Sequence, residues 1–389
     1  MTAISEETFL GYERPDGRVG VRNWVGVVSV LDICNPVTRA ICRSVYGTLA
    51  ITTLFVRGQI GRDLDISYAT LAGLAHNPNV GAVLVVGLEP DSSEEVARRI
   101  RPCGKPLEVI NLQLVGGTIA ATALGTRLAA RLVKLTSAQT RRLFPIAALT
   151  VGVECGGSDT TSGLASNPAI GAAADRIIDG GGRVVISETS EFFGAEHLFA
   201  ARAATEEVRQ KFLSQVRGHE REIVSRGVDI RGAQPSRDNI RGGLTTVEEK
   251  ALGAMAKAGT RPLVGVLEYA ESPAVPGLHF MATPAAAVES VTGLASGGCQ
   301  LIMFSTGVGN PIGSMVATTI KVTGNRNTAR NFADNIDFDV SDIIEGREKT
   351  ENAGDRLFRY MISVASGELT TAEILDTRET AISRFGPSV

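Results

Sequence analysis

The sequence predicts an α/β protein of two doubly wound, mostly parallel-sheet domains, 1–140 and 141–389, with a helical C-terminal tail. Two patterns and the composition carry that prediction. Short apolar runs rich in Val and Ile alternate with longer helical patterns from Trp24 to Leu135. Such continuous runs mark strands buried on both faces of a parallel sheet. The same alternation resumes at Ile146, after a polar stretch, Thr136 to Arg142, that reads as a hinge. The 43 glycines and only 5% aromatic residues fit a compact enzyme with many tight turns. At 389 residues the chain is long enough for two or three cores.

Taken in order, Gly11 to Asn23 is a turn-rich opening with three arginines, Arg14, Arg18 and Arg22. They form either a solvated face or a site for a carboxylate or phosphonate-like group. Trp24 to Leu31 reads as a buried strand and Val37 to Val45 as a helix; further strands follow at Leu49 to Val56, Val80 to Leu88 and Leu107 to Leu112. Helices are expected over 93–101 and Thr118 to Leu135. Asp32, Arg57, Gln59, Asp63 and Glu89 then stand near the strand ends, where ligands of parallel sheets collect. In the second half, strands are expected at Ile146 to Val153, Val184 to Ser187, 263–268 and 300–304. Helices are expected over 167–179, up to Arg226, and over Leu244 to Ala258, with a loop at Arg231 to Gly243. Helical patterns near 352–365 and 370–385 close the chain as a packing or docking element.

Composition excludes several function classes. The 39 basic and 42 acidic residues are interspersed, giving a net charge of -3, so neither nucleic acid nor an anionic membrane surface is indicated. The first residues carry acids where a signal peptide carries Lys or Arg, and no apolar run is long enough for a membrane span, so a cytoplasmic protein is expected. Cys34, Cys42, Cys103, Cys155 and Cys299 are widely spaced without C-x-x-C, which argues against a disulfide framework or a zinc knuckle.

Val151 to Gly163, V-G-V-E-C-G-G-S-D-T-T-S-G, is the densest polar turn. A buried strand runs into a Gly-rich turn that opens a helix, and Glu154, Cys155, Ser158, Asp159, Thr160, Thr161 and Ser162 stand at its edge. A helix start there can hold an anion; an ordinary capped turn is the alternative. Glu188, Glu191, Glu196 and His197 fall within ten residues and can supply an acid and a base, or ligate a hard dication. The acids of a helix start explain the same pattern. Ser305 to Gly313 offers backbone N–H groups for an anion, or is a plain turn.

These motifs, with G-Y-E-R-P-D-G-R-V-G-V-R-N (11–23), H-N-P-N-V (76–80), S-E-T-S-E-F-F-G-A-E-H (187–197), G-G-L-T-T-V-E-E-K-A-L-G (242–253) and P-G-L-H-F-M (276–281), resemble the altronate/galactarate dehydratase family over nearly the whole chain. The resemblance implies a lyase that removes a β-substituent from a 2-hydroxy carboxylate, with a divalent metal, Fe2+ first and Mn2+ or Mg2+ as alternatives. R-G-Q-I-G-R-D-L (57–64) and G-L-E-P (87–90) stand where the sugar-acid dehydratases have Gly-Cys-Gly and Gly-Cys-Glu. Those replacements are similar to the sulfo-lyase large subunits of the family, which release sulfite from 3-sulfolactate to leave pyruvate and work with a separate SAF-type small subunit. A sugar-acid dehydratase is the alternative. A non-catalytic carboxylate-binding paralogue is another, motivated by Ala282 where the family usually has Asp. A hydrolase with Cys155 as nucleophile is a further rival, for which the sequence offers no His partner.

Motif membership implies the roles. Glu188 and His197 are candidates for base or metal ligand, with Glu191 and Glu196 completing the metal set. Cys155 and Asp159 are candidates for metal binding or leaving-group protonation, and Lys250 for the substrate carboxylate. Arg14, Arg22 and Arg57 are candidates for a sulfonate or other distal anion, with Ser158, Thr160 and Thr306 in the substrate-binding set. A homo- or hetero-oligomer is expected.

Overall fold

A computed structural model describes residues 7–389 apart from Phe55, 231–233 and 387–388. The acids of the first six residues and the start of the predicted loop at 231 therefore lie outside the described residues. The protein is α/β, built on two parallel sheets. In the N-terminal half the strands Thr48–Ile51, Trp24–Ser29, Val80–Gly87 and Leu107–Asn111 lie side by side in that order, all parallel. The second strand stops at Ile51, short of the expected Val56. Asn35 draws the chain away there, donating from Nδ2 to the Thr53 carbonyl at 2.6 Å.

Helix Arg62–His76 was not among the expected helices, although Leu64, Tyr68, Leu71 and Ala75 fall at helical spacing. Its buried face mixes Asp63, Ser67 and Thr70 with Leu71 and Leu74, so polar groups with partners replace part of the expected apolar row. Ser67 Oγ, for example, donates to Gln59 Oε1 at 2.6 Å.

The second sheet has seven parallel strands in the order Leu263–Leu267, Gly277–Met281, Arg183–Ile186, Thr150–Cys155, Leu301–Ser305, Thr318–Thr323 and Phe338–Asp339. The chain leaves Thr150–Cys155 to one side and returns to its other side at Leu301–Ser305. Loops diverge at such a reversal and open a crevice at the carboxyl ends. The strand T-T-I-K-V-T over Thr318–Thr323 was not expected, because Thr and Lys interrupt the apolar run; all six residues are nevertheless buried.

Two sequence expectations are corrected. The stretch Thr136 to Arg142 is not a hinge: helix Thr118–Ser137 runs into it, and Arg142–Pro145 pairs antiparallel with Thr8–Glu13. The expected helix over 370–385 is one turn, Thr371–Ile374. Asp376 adopts a positive φ of 53°, which ends helical geometry, and Arg378–Glu379 then pairs with Gly313–Ser314. The chain end reaches the N-terminal half, where the Asp63 carboxylate accepts from Phe385 N at 2.9 Å and Gly386 N at 2.7 Å.

One of two apolar clusters spans the halves. Leu267, Met281, Leu294, Ile302 and Phe304 belong to the same cluster as the valines of strands Trp24–Ser29 and Val80–Gly87, and helix Ala287–Ser296 packs on helix Arg62–His76. A buried polar seam runs beside it. Asn77 Nδ2 donates to the carbonyls of Ala295 and Cys299, both at 2.8 Å, and Asn79 Nδ2 to those of Gln300 at 2.8 Å and Val316 at 2.9 Å.

Candidate active site

The Gly-rich turn after Thr150–Cys155 lies at the reversal point of the seven-stranded sheet. Gly157 has φ +67°, a conformation L side chains rarely take, and its carbonyl receives Gly307 N at 3.0 Å and Val308 N at 2.9 Å. Those amides are thus committed to the backbone, and Gly309 N is committed to a side chain, donating to Thr306 Oγ1 at 3.1 Å. The expectation that Ser305 to Gly313 presents free N–H groups to an anion is corrected at these amides, and the Thr306 hydroxyl is buried inside the turn. Asp159 is likewise committed: Oδ1 accepts from Thr161 Oγ1 at 2.7 Å and Ser162 N at 2.9 Å, and Oδ2 from Asn325 Nδ2 at 2.8 Å. It holds the turn in shape. A π-helical segment, Ser162–Ser166, follows before helix Asn167–Asp179, a wide turn often found at functional sites.

Beneath the turn lies a buried charged cluster. Lys257 Nζ is 2.7 Å from Glu188 Oε2 and 3.1 Å from Cys155 Sγ, and the Lys257 side chain is 0% exposed. Glu188 Oε2 also accepts from Cys155 N at 3.1 Å. Glu188 itself is held at a positive φ of 68°, uncommon outside glycine, with its N–H on Thr283 Oγ1 at 2.9 Å. Next to it, Glu154 Oε2 accepts from Ser187 Oγ at 2.7 Å and Ser290 Oγ at 2.8 Å. Among the described residues Glu154 Oε1 has no partner.

Charge balance follows from this geometry. Burial pushes the Glu154 carboxyl well above the usual range, and neighbouring Glu188 pushes it further. Burial also raises Glu188, but the Lys257 ammonium opposes that rise. Burial alone lowers Lys257; Cys155 and the carboxylates around it, Glu188 above all, outweigh that and raise it. One ammonium among two carboxyl groups gives an ion pair, Glu188 with Lys257, and a neutral acid, Glu154. The Cys155 thiol is pushed up by burial and by Glu188, so it stays protonated.

A cavity of about 330 Å³ lies against the turn, lined by Ser158, Asp159, Thr160, Asn167, Lys250 and Gly253 among others. Lys250 Nζ pairs with Glu191 Oε1 at 2.9 Å and donates to Gln234 Oε1 at 2.8 Å. Glu191 in turn acts electrostatically on Glu188, Cys155 and Lys257, which joins the cavity wall to the buried cluster.

The structure therefore brings Cys155, Ser158, Asp159, Thr160, Glu188, Glu191 and Lys250 to one region. It leaves out the rest. His197 is exposed on helix Glu196–Ala200, and Glu196 Oε1 faces Arg217 Nε at 3.9 Å. Arg14 is buried in the N-terminal loop, donating to the Pro78 carbonyl at 2.6 Å and the Arg22 carbonyl at 2.7 Å. Arg22 is forked onto Glu373, both distances 2.8 Å. Both arginines are corrected from anion binding to holding the fold. Arg57 is exposed beyond strand Thr48–Ile51 and acts electrostatically on Glu89.

The expected metal set is also corrected. Among the described residues no three His, Cys, Asp or Glu side chains stand together so as to hold a metal ion. Glu188 and Glu191 each face an ammonium, so a dication between them would meet two like charges. Ala282 lines a separate cavity of about 230 Å³ with Arg62, His219, Tyr269, Thr283 and Phe385.

Sequence reasoning missed Lys257, Asn167 and the hydroxyls of Ser187, Thr283 and Ser290. Lys257 had a signal: it follows Lys250 by seven residues, two helical turns, in a segment predicted helical throughout. Helix Val247–Met255 continues as the tighter turn Ala256–Ala258, and the two lysines pair with neighbouring acids of one segment, Lys250 with Glu191 and Lys257 with Glu188.

Comparison with known proteins finds relatives along nearly the whole chain. The family profile "D-galactarate/Altronate dehydratase, C-terminal" matches residues 146–388, and "D-galactarate dehydratase/Altronate hydrolase, second domain" matches 11–137. The chain is 41% identical to the (2R)-sulfolactate sulfo-lyase subunit beta of Chromohalobacter salexigens, over 98% of each chain. It is 31% identical to the altronate dehydratase of Bacillus subtilis, covering 97% of this chain and 78% of that one. It is also 31% identical to the galactarate dehydratase (L-threo-forming) of Escherichia coli, covering 94% and 74%.

Proposed function

The chain belongs to the D-galactarate/altronate dehydratase family, whose members are lyases, and on that premise we propose that it eliminates sulfite from (2R)-3-sulfolactate as the large subunit of a two-subunit enzyme. The observation that carries the reading is Lys250, the one cation on the cavity wall among the described residues, backed through Glu191 by the buried Glu188–Lys257 pair. A cation in a partly closed cavity suits a carboxylate, and a carboxylate–ammonium pair behind it suits proton transfer at the adjacent carbon. Identity of 41% to the sulfo-lyase subunit, against 31% to the two dehydratases, supports the sulfo-lyase over the dehydratases.

In this mechanism Lys250 holds the substrate carboxylate. Glu188 takes the proton from C2, and the C2–H electrons form the C2–C3 double bond as the C3–S bond breaks and its electron pair leaves on sulfite. The resulting enol takes a proton at C3 and loses its hydroxyl proton to become pyruvate. Glu154, neutral in its bed of hydroxyls, avoids a second buried negative charge beside Glu188. The residues present do not fit a divalent metal, and no step is routed through one. Metal analysis of the purified chain tests that disagreement: stoichiometric Fe2+, Mn2+ or Mg2+ held by this chain alone overturns it.

The partner is a SAF-type small subunit, supported by the sulfo-lyase relative being named a subunit beta. The compartment is the cytoplasm, supported by five free cysteines; among the described residues no helix is long and apolar enough to cross a membrane. The test reconstitutes the chain with a co-encoded SAF-type subunit under reducing, Fe2+-replete conditions and assays 3-sulfolactate and aldonates. Sulfite with pyruvate is expected. A 2-oxo acid from an aldonate without sulfite makes the chain a sugar-acid dehydratase, and binding without turnover of any substrate makes it a carboxylate-binding paralogue.

A further inference from the structure

Asn167 opens helix Asn167–Asp179 directly after the π-helical segment, on the wall of the cavity that holds Lys250. It is 2% exposed. Its amide has a defined orientation: Nδ2 donates to the Gly253 carbonyl at 2.9 Å, so the nitrogen faces helix Val247–Met255. Among the described residues the other amide atom, Oδ1, has no hydrogen-bond partner. Buried polar atoms almost always have a partner, and one left without a protein partner on a residue of a cavity wall calls for a water, an ion or a ligand group. Oδ1 is an acceptor only, so the ligand atom it suits is a donor.

We propose that Asn167 Oδ1 accepts the hydrogen bond of the substrate's 2-hydroxyl while Lys250 holds the neighbouring carboxylate. The cavity then recognises the hydroxy-carboxylate pair common to 2-hydroxy acids, whatever leaves from the next carbon. This assignment rests on the lyase reading above and adds a specificity residue to it. A ligand lacking the hydroxyl leaves Oδ1 unpaired; a ligand carrying it gains one hydrogen bond, worth about tenfold in affinity.

The test uses the full chain, with its small subunit where that is needed for binding, and two unreactive ligands without a leaving group, lactate and propanoate. Ligand-detected NMR titration measures affinity, and circular dichroism checks the fold of each variant. Wild type is expected to prefer lactate about tenfold. N167L, close to the native side chain in size, is expected to lose that preference while binding propanoate as well as wild type does. N167A serves as the second variant should N167L fail to fold. K250M is expected to weaken both ligands equally. A preference for lactate that survives in the folded Asn167 variant overturns the inference and leaves the lyase reading standing. Equal loss of both ligands in that variant also overturns it, since Asn167 then only shapes the cavity. Wild type that binds neither ligand overturns the lyase reading of this cavity, and the inference with it.

Discussion

Lys257 is the residue on which the buried charge depends. Its ammonium is the only cation within 2.7 Å of Glu188 among the described ion pairs, and both side chains are out of solvent. Removing one member of such a pair leaves a bare buried charge, at a cost of about 3–5 kcal/mol. K257M is expected to show that loss in urea unfolding, together with loss of turnover. K257M/E188Q is expected to recover most of the stability and none of the activity, which separates the folding role of the pair from its chemical one. Cys155 touches the same ammonium, yet burial and Glu188 keep it a protonated thiol. Iodoacetamide at pH 8 is therefore expected to spare Cys155 in the native protein, as peptide mass mapping reads directly; rapid native alkylation would revive the nucleophile reading. Lys321, buried with its Nζ 3.6 Å from the centre of the Phe304 ring, is a different case. Burial lowers it from 10.5 to about 7. Between those values the unfolded chain binds more protons than the native one, so this group makes stability rise with pH from about 7 to 10.5 and adds no slope below. K321M is expected to flatten the pH dependence of Tm in that window.

At the scale of elements, the site depends on close approach between loops. A Cβ on Gly307 would lie 2.2 Å from Asp159 Oδ1, the atom that orders Thr161 and Ser162. G307A is expected to push Asp159 from its partners and to cost about 1–3 kcal/mol in thermal unfolding. Because the same turn lines the cavity, catalytic efficiency is expected to fall with it, while far-ultraviolet circular dichroism stays unchanged. The opposed glycines Gly163 and Gly253 play a similar part: a Cβ on Gly253 would meet the Gly163 Cα at 3.1 Å, so the helix carrying Lys250 lies close against the π-helical turn. The thirteen-residue opening motif and the H-N-P-N-V segment carry polar residues for another reason. Their side chains tie backbone to backbone.

At the scale of the whole molecule, that second set ties the two halves together. Asn79 alone engages three backbone groups from both halves: Nδ2 reaches the carbonyls of Gln300 and Val316, and Oδ1 receives Val21 N at 2.9 Å. N79A leaves all three buried and unpaired, each costing about 1–3 kcal/mol. The expected result is a loss of at least about 3 kcal/mol in a single cooperative transition. Two separate transitions would show that the halves unfold independently and that the shared apolar cluster does not couple them.

The sequence by itself determined the α/β class, most strands of both parallel sheets, and the place of the Gly-rich turn at a strand end. These depend on local signals: apolar runs, glycine punctuation and helix-cap patterns act within a few residues. It also marked Glu188, Glu191 and Lys250 as chemically interesting. Only the tertiary structure decided which polar residues share a site. Arg14, Arg22 and His197 have the same chemistry as binding or catalytic groups, but partners far along the chain, or solvent, claim them. Lys257 and Asn167 look unremarkable in the sequence because their meaning lies in contacts 69 and 86 residues away, with Glu188 and Gly253. Side-chain identity fixes what a group can do, and the long-range packing that buries it fixes its charge, its partner and hence its role.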